Sequence, residues 1–71
     1  MDKNVLLNEL YDSIDSRKHF VKVIKQTKDK AVGDYSMTLK QLEVDGIIMY
    51  AECDIHKDAN GNLIRIRGWI K

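Results

Sequence analysis

Residues Met37–Tyr50 read "MTLKQLEVDGIIMY", and the way this stretch divides decides the fold. It is either a helix that ends at Gly46 and turns into a strand, or two strands of a hairpin around Asp45-Gly46. Tyr35, Leu39 and Leu42 lie four and three residues apart, the spacing of one helix face. As a strand, Met37 and Leu39 would share a face with Gln41 and Glu43, which is poor alternation for a half-buried sheet. Gly46 stands four residues after Leu42, where a helix closes through a left-handed residue. The stretch therefore predicts a helix, a glycine stop and a strand beginning at Ile47-Ile48.

Downstream, "IIMYAECDI" and "LIRIRGWIK" flank "HKDANGN", and Asn60-Gly61 is a short-range hairpin signal because both residues tolerate positive φ. In the second of these strands Ile64, Ile66 and Ile70 alternate with Arg65, Arg67 and Trp69. Upstream, Asp2 or Asn4 can cap a first helix whose apolar positions are Leu6/Leu7, Leu10 and Ile14. Asp15-Ser16 breaks it, and Ser16 can cap the next segment. That segment, "SRKHFVKVIKQTKDKAVG", is ambiguous, because Phe20, Val21, Val23 and Ile24 favour strands by propensity. Its periodicity favours a helix: Phe20, Val23/Ile24, Thr27 and Ala31 fall on one stripe, and Lys18, Lys22, Lys25 and Lys28 on another. Gly33 would end that helix and Asp34 would cap the next. The expected order is helix, helix, helix, two-stranded hairpin; the other reading makes residues 19–26 and 36–44 strands of an α+β sheet.

The chain has 71 residues, 44% hydrophobic and 32% charged, with no proline and a net charge of +1. That profile is of one globular domain, residues 1–71, near the lower size limit for independent folding. The longest apolar run, Ile47–Ala51, is far short of the ~20 residues a membrane span needs. The acidic N-terminus lacks the basic region and apolar stretch of a signal peptide. One cysteine cannot form an internal disulfide, which fits a reducing cytoplasm. The expectation is a cytoplasmic protein and a complete small reading frame. Charge is unevenly spread: Lys3 faces four acids in residues 1–16, whereas residues 17–30 carry six bases against Asp29 alone. Such asymmetry can make an electrostatic footprint on a near-neutral chain, or simply a solvated face.

The run Leu39, Leu42, Gly46, Ile47, Ile48 resembles the end of the third helix and the start of the wing in the winged helix-turn-helix superfamily. The resemblance covers most of the chain in element order but only about fifteen residues in motif, and it marks a fold more than a function. It implies an α+β domain of three helices followed by a β-hairpin wing. It also implies a third helix in the major groove of double-stranded DNA, with the wing on the backbone. On that reading Ser36, Met37, Lys40 and Gln41 face the groove, while Lys22, Lys25 and Lys28 on the second helix meet phosphates. The wing offers Lys57, Asn60 and Asn62 at its tip and Arg65 and Arg67 along its outer strand.

Chemistry of other kinds finds little support. Cys53 and His56 form a C-x-x-H pair, but a structural zinc site needs four ligands, and Cys53 alternates as a core residue would. There is no phosphate loop, nucleophile elbow or carboxylate pair with a pocket to work in. The expectation is no enzyme, no cofactor and no metal. The Arg65-Arg67-Trp69 stripe is a strip for nucleic acid or a dimer or partner contact, unless Trp69 folds back over the first helix to close the core. The leading expectation is a small DNA-binding transcriptional regulator of the phage or plasmid type, acting as a homodimer. The alternative is a non-catalytic protein-interaction module, an inhibitor or adaptor acting on a host protein.

Overall fold

The computed structural model describes every residue from Met1 to Lys71. It contains two helices and three strands in the order α1 (Lys3–Tyr11), β1 (His19–Thr27), α2 (Asp29–Val44), β2 (Ile48–Asp58) and β3 (Gly61–Ile70). The strands form one antiparallel sheet in the order β1-β3-β2. No helix is long and apolar enough to cross a membrane.

The stretch Met37–Tyr50 folds as its spacing predicts. α2 ends through Asp45, Gly46 takes φ +75°, and a paired set of bonds closes the turn. Gly46 N–H donates to the Glu43 carbonyl and Ile47 N–H to the Leu42 carbonyl, both at 3.0 Å. This pairing satisfies two carbonyls that the helix end would leave open and sends Ile48 directly into β2. At the other end of the chain, Asp2 caps α1 by accepting from Asn4 N–H at 2.7 Å.

The three-helix expectation is corrected by residues 17–33. Residues 19–27 are strand β1, not a lysine-striped helix, and the architecture is two helices against a three-stranded sheet rather than three helices and a wing. The β-branched and aromatic residues Phe20, Val21, Val23 and Ile24 prevail over a weak 3.6-residue pattern. Neither face of β1 is cleanly alternating because it is an edge strand: Lys22 shares the inner side with Phe20 and Ile24, yet is half-exposed. An amphipathic stem at an edge can lie along apolar surface and release its charge to water. Ser16 caps nothing; instead the Asp15 carboxylate accepts from the Arg17 and His19 amides, at 2.8 and 3.0 Å, and turns the chain into β1. Gly33 does not stop a helix either, because α2 runs through it for 16 residues.

The hairpin also differs in detail. Asp58 pairs with Gly61, so the two-residue loop is Ala59-Asn60, one position earlier than the Asn-Gly signal suggests. Asp58 accepts from Asn60 N–H at 2.8 Å, and Gly61 alone takes positive φ, at +123°.

Both helices lie on one face of the sheet. The core is a single layer of nine buried residues: Leu6 and Leu10 of α1, Leu39 and Leu42 of α2, Phe20, Ile48, Ile64, Ile66 and Ile70. Gly68 sits on that inner face under the Phe20 ring. The opposite face has no helix over it.

Candidate binding surface on the bare sheet face

Register assembles this face in rungs. Trp69 on central β3 lies between His19 of β1 and Met49 of β2, Arg67 between Val21 and Glu52, and Arg65 between Val23 and Asp54. Directly paired residues on one face of a sheet stand within side-chain contact, so each rung is a physical unit.

A bulge shapes the first rung. Between Met49 and Glu52, β2 spends two residues, Tyr50 and Ala51, where β3 spends only Gly68. Tyr50 takes φ +55°, a left-handed conformation rare for a non-glycine residue. The bulge turns the Tyr50 side chain outward, 73% exposed, with its ring edge-on to Trp69 at 6.1 Å and 90°. On the other side the His19 ring stacks on Trp69 at 4.5 Å with a 41° tilt. The Ala51 amide is taken up by the Glu43 carboxylate of α2 at 2.9 Å. That bond, and then the Lys40 ammonium, hold the Glu43 carboxyl below its ordinary range. The helix layer thereby fixes a bulge whose side chain serves the far face.

The three aromatic rings, with Val21, Glu52, Arg65 and Arg67, line an open groove of about 400 Å³. Arg67 and Glu52 form an ion pair, Arg67 Nε donating at 2.7 Å. Arg65 and Asp54 stand opposite one another but close no ion pair. Val21, Val23 and Trp69 are each 37–46% exposed. A depression of about 310 Å³ also exists where Met1 and Lys3 approach α2 at Asp34, Met37, Thr38 and Gln41. Two of its polar side chains are already engaged, since Lys3 and Gln41 both donate to Asp45, at 2.9 and 2.8 Å.

The residues singled out for DNA are scattered. Lys22 and Lys25 point to opposite sides of β1, and Lys28 is the N-cap position of α2. On α2, Lys40 pairs with Glu43 at 3.3 Å and Gln41 donates to Asp45, while Ser36 Oγ faces Cys53 Sγ at 3.6 Å. Met37 is 74% exposed. Lys57 reaches Asp29 at 3.5 Å, Asn60 lies in the turn, and Asn62 is buried against Asp29 and the Thr27 carbonyl. Arg65, Arg67 and Trp69 do come together, on the bare face. Cys53 and His56 fall on opposite sides of β2, and no three His, Cys, Asp or Glu side chains converge.

Sequence reasoning missed Tyr50, His19, Val21, Val23, Glu52 and Asp54 as parts of one surface. The alternation of β3 was visible, but its partners follow only from the strand register and the bulge. Comparison with family models, with curated proteins and with solved structures returned no match, so the surface is read from its own geometry.

Proposed function

We propose that this chain is a non-catalytic protein-interaction module whose contact surface is the bare face of its sheet. One observation carries the reading: Trp69, Tyr50, Arg65 and Arg67 are grouped on a face no helix covers. Trp, Tyr and Arg are the residue types that dominate the energetics of protein interfaces, because each combines large contact area with a directional polar group. The exposed valines on β1 extend the apolar rim of this surface. Charge on the face is mixed, with Glu52 and Asp54 beside the two arginines, which suits a protein surface better than a polyanion. A DNA-binding regulator draws less support, since Lys22, Lys25 and Lys28 do not form one phosphate-facing row and Lys40 and Gln41 are already bonded within α2. The single cysteine suits a reducing cytoplasm.

Site-specific photo-crosslinking tests the reading. A benzophenone side chain at Val23, on the bare face, should give discrete protein adducts that disappear when Arg65 and Arg67 are both changed to glutamate. The same group at Met37 on α2 should give none. Equal labelling from both positions would overturn the assignment. Retained duplex binding through a salt series, weakened uniformly by alanine at Lys22, Lys25 and Lys28, would return the regulator instead.

A further inference from the structure

Resting on that reading, we infer that the partner of the bare face is a second copy of this chain, packed sheet to sheet about a two-fold axis parallel to the strands and lying between β2 and β3. The charge pattern selects this arrangement. On consecutive rungs Arg67 stands beside Glu52 and Arg65 beside Asp54, always base on β3 and acid on β2. A two-fold axis between those strands places β3 of one copy over β2 of the other at the same rung. Arg67 then meets the partner's Glu52, Arg65 meets the partner's Asp54, and each contact occurs twice, as an isologous interface requires.

Other axes fail the same test. An axis across the strands, midway between the two charged rungs, sets Arg67 against Arg65 and Glu52 against Asp54. An axis directly over β3 sets each arginine on its own copy. Like charges placed opposite one another destabilise a sheet contact, so the two alternatives are penalised where the first is favoured.

The aromatic rung fits the same geometry. The axis between β2 and β3 brings Trp69 of one copy over Met49 and Tyr50 of the other, so the outward Tyr50 would close an aromatic cluster at one end of the interface. Arg65 and Asp54, which close no ion pair within the chain, gain partners across it. Strands of about ten residues rise ~3.3 Å per residue and sit ~4.8 Å apart, so two overlapping strands cover on the order of 300 Å² of projected area per copy. Doubled over both copies, that lies below the ~1,200–2,000 Å² of a standard specific interface and leaves β1 at the rim, so the dimer should be weak and concentration-dependent.

Charge exchange between two variants tests this directly. One variant carries Arg65→Glu and Arg67→Glu, making both strands acidic; the other carries Glu52→Arg and Asp54→Arg, making both basic. Sedimentation equilibrium up to ~1 mM, where contacts of this strength still associate, should show the wild-type chain reaching twice its 8.2 kDa mass. Each variant alone should associate at least ~10-fold more weakly, because like charges now face each other. An equimolar mixture should recover dimer at wild-type strength or better. Circular dichroism of each variant confirms that it is folded before association is read. A wild-type chain monomeric throughout the series, or variants that self-associate as strongly as wild type, would overturn the second-copy proposal. Val23 crosslinks to a different protein in that case would leave the binding-face reading standing, whereas their absence as well would end both.

Discussion

At Tyr50 the backbone holds φ at +55° for a side chain that is 73% exposed and contributes little to the core. A left-handed conformation costs a non-glycine residue roughly 1–2 kcal/mol, and a ring this exposed gains too little burial to offset it. Strain retained at a surface aromatic is better explained by what the ring does than by what it stabilises. Tyr50→Gly should therefore leave the unfolding free energy within ~1 kcal/mol of wild type, measured by denaturant titration, while self-association falls. Tyr50→Val should destabilise the fold by ~1–3 kcal/mol, because a β-branched residue resists that φ. A large loss of stability in the glycine variant would give Tyr50 a structural role instead. Gly68 is the opposite case. A Cβ there would meet Phe20 Cζ at 2.8 Å, the Met49 carbonyl at 3.1 Å and Ala51 Cα at 3.2 Å. Phe20 is fully buried and two of the three neighbours are backbone, so Gly68→Ala should cost ~1–3 kcal/mol through overpacking. A melting temperature within about a degree of wild type would show that the ring and the bulge shift freely.

At the scale of elements, the second half of α2 and the two strands of the hairpin were legible because each carries redundant signals, whereas the start of α2 at Asp29 and the exact turn were not. Apolar spacing, a glycine stop and the apolar pair after it agree for α2, and strict alternation from Ile64 to Ile70 fixes β3 with its inward and outward sides. β1 was not legible, for a physical reason. Its 3.6-residue stripe arises from lysines that serve an edge strand, where cationic side chains discourage pairing with other chains. Helical periodicity and edge protection place lysine at similar intervals here, and only β-propensity separated them. The bulges were invisible for a different reason: Gln26 and Tyr50 take left-handed φ without glycine or asparagine to announce it. Hence the stripe Arg65-Arg67-Trp69 could be read, but the rungs that make it a surface could not. α2 itself can be tested at Leu39, 3% exposed in the middle of the helix. Leu39→Pro removes a backbone donor and a buried side chain, at ~3 kcal/mol or more for the proline and roughly 2–5 for the leucine. A core of nine residues has little reserve against that sum, and the domain should lose cooperative unfolding. Retained cooperativity by circular dichroism would mean that α2 contributes less to the core than its burial indicates.

Across the whole molecule, carboxylates tie the layers together, and their titration gives the fold a direction with pH. Asp45 is held below its ordinary range first by the Lys3 ammonium and then by Gln41, linking α1 to α2. Asp29 is lowered by the Asn62 side chain and by Lys57, linking α2 to the hairpin. Glu43 is lowered by the Ala51 amide and then Lys40, linking α2 to the β2 bulge, and Asp15 by the His19 and Arg17 amides that lead into β1. Each carboxyl binds its proton less readily in the folded chain than in the unfolded one. Their contribution is therefore complete above the ordinary values of 3.8 for Asp and 4.5 for Glu, and is lost as pH falls through the lower folded values. Tyr35 works in the other direction: burial and then nearby Glu9 raise its phenol above 10.0, so stability declines as pH rises beyond that value. Thermal unfolding followed by circular dichroism should thus give a plateau through neutral pH, falling on both sides. Because Asp15 and Asp29 are exposed and Glu43 and Asp45 only half-buried, each contributes modestly and the acid limb should be gradual rather than abrupt. Glu43→Gln and Asp45→Asn together should lower the plateau while bringing the melting temperature toward wild type as the pH falls low enough to protonate the two wild-type carboxyls. An acid limb of unchanged depth in that double variant would show that these two bonds do not couple the helices to the sheet, and that packing of the nine-residue core alone holds the layers in place.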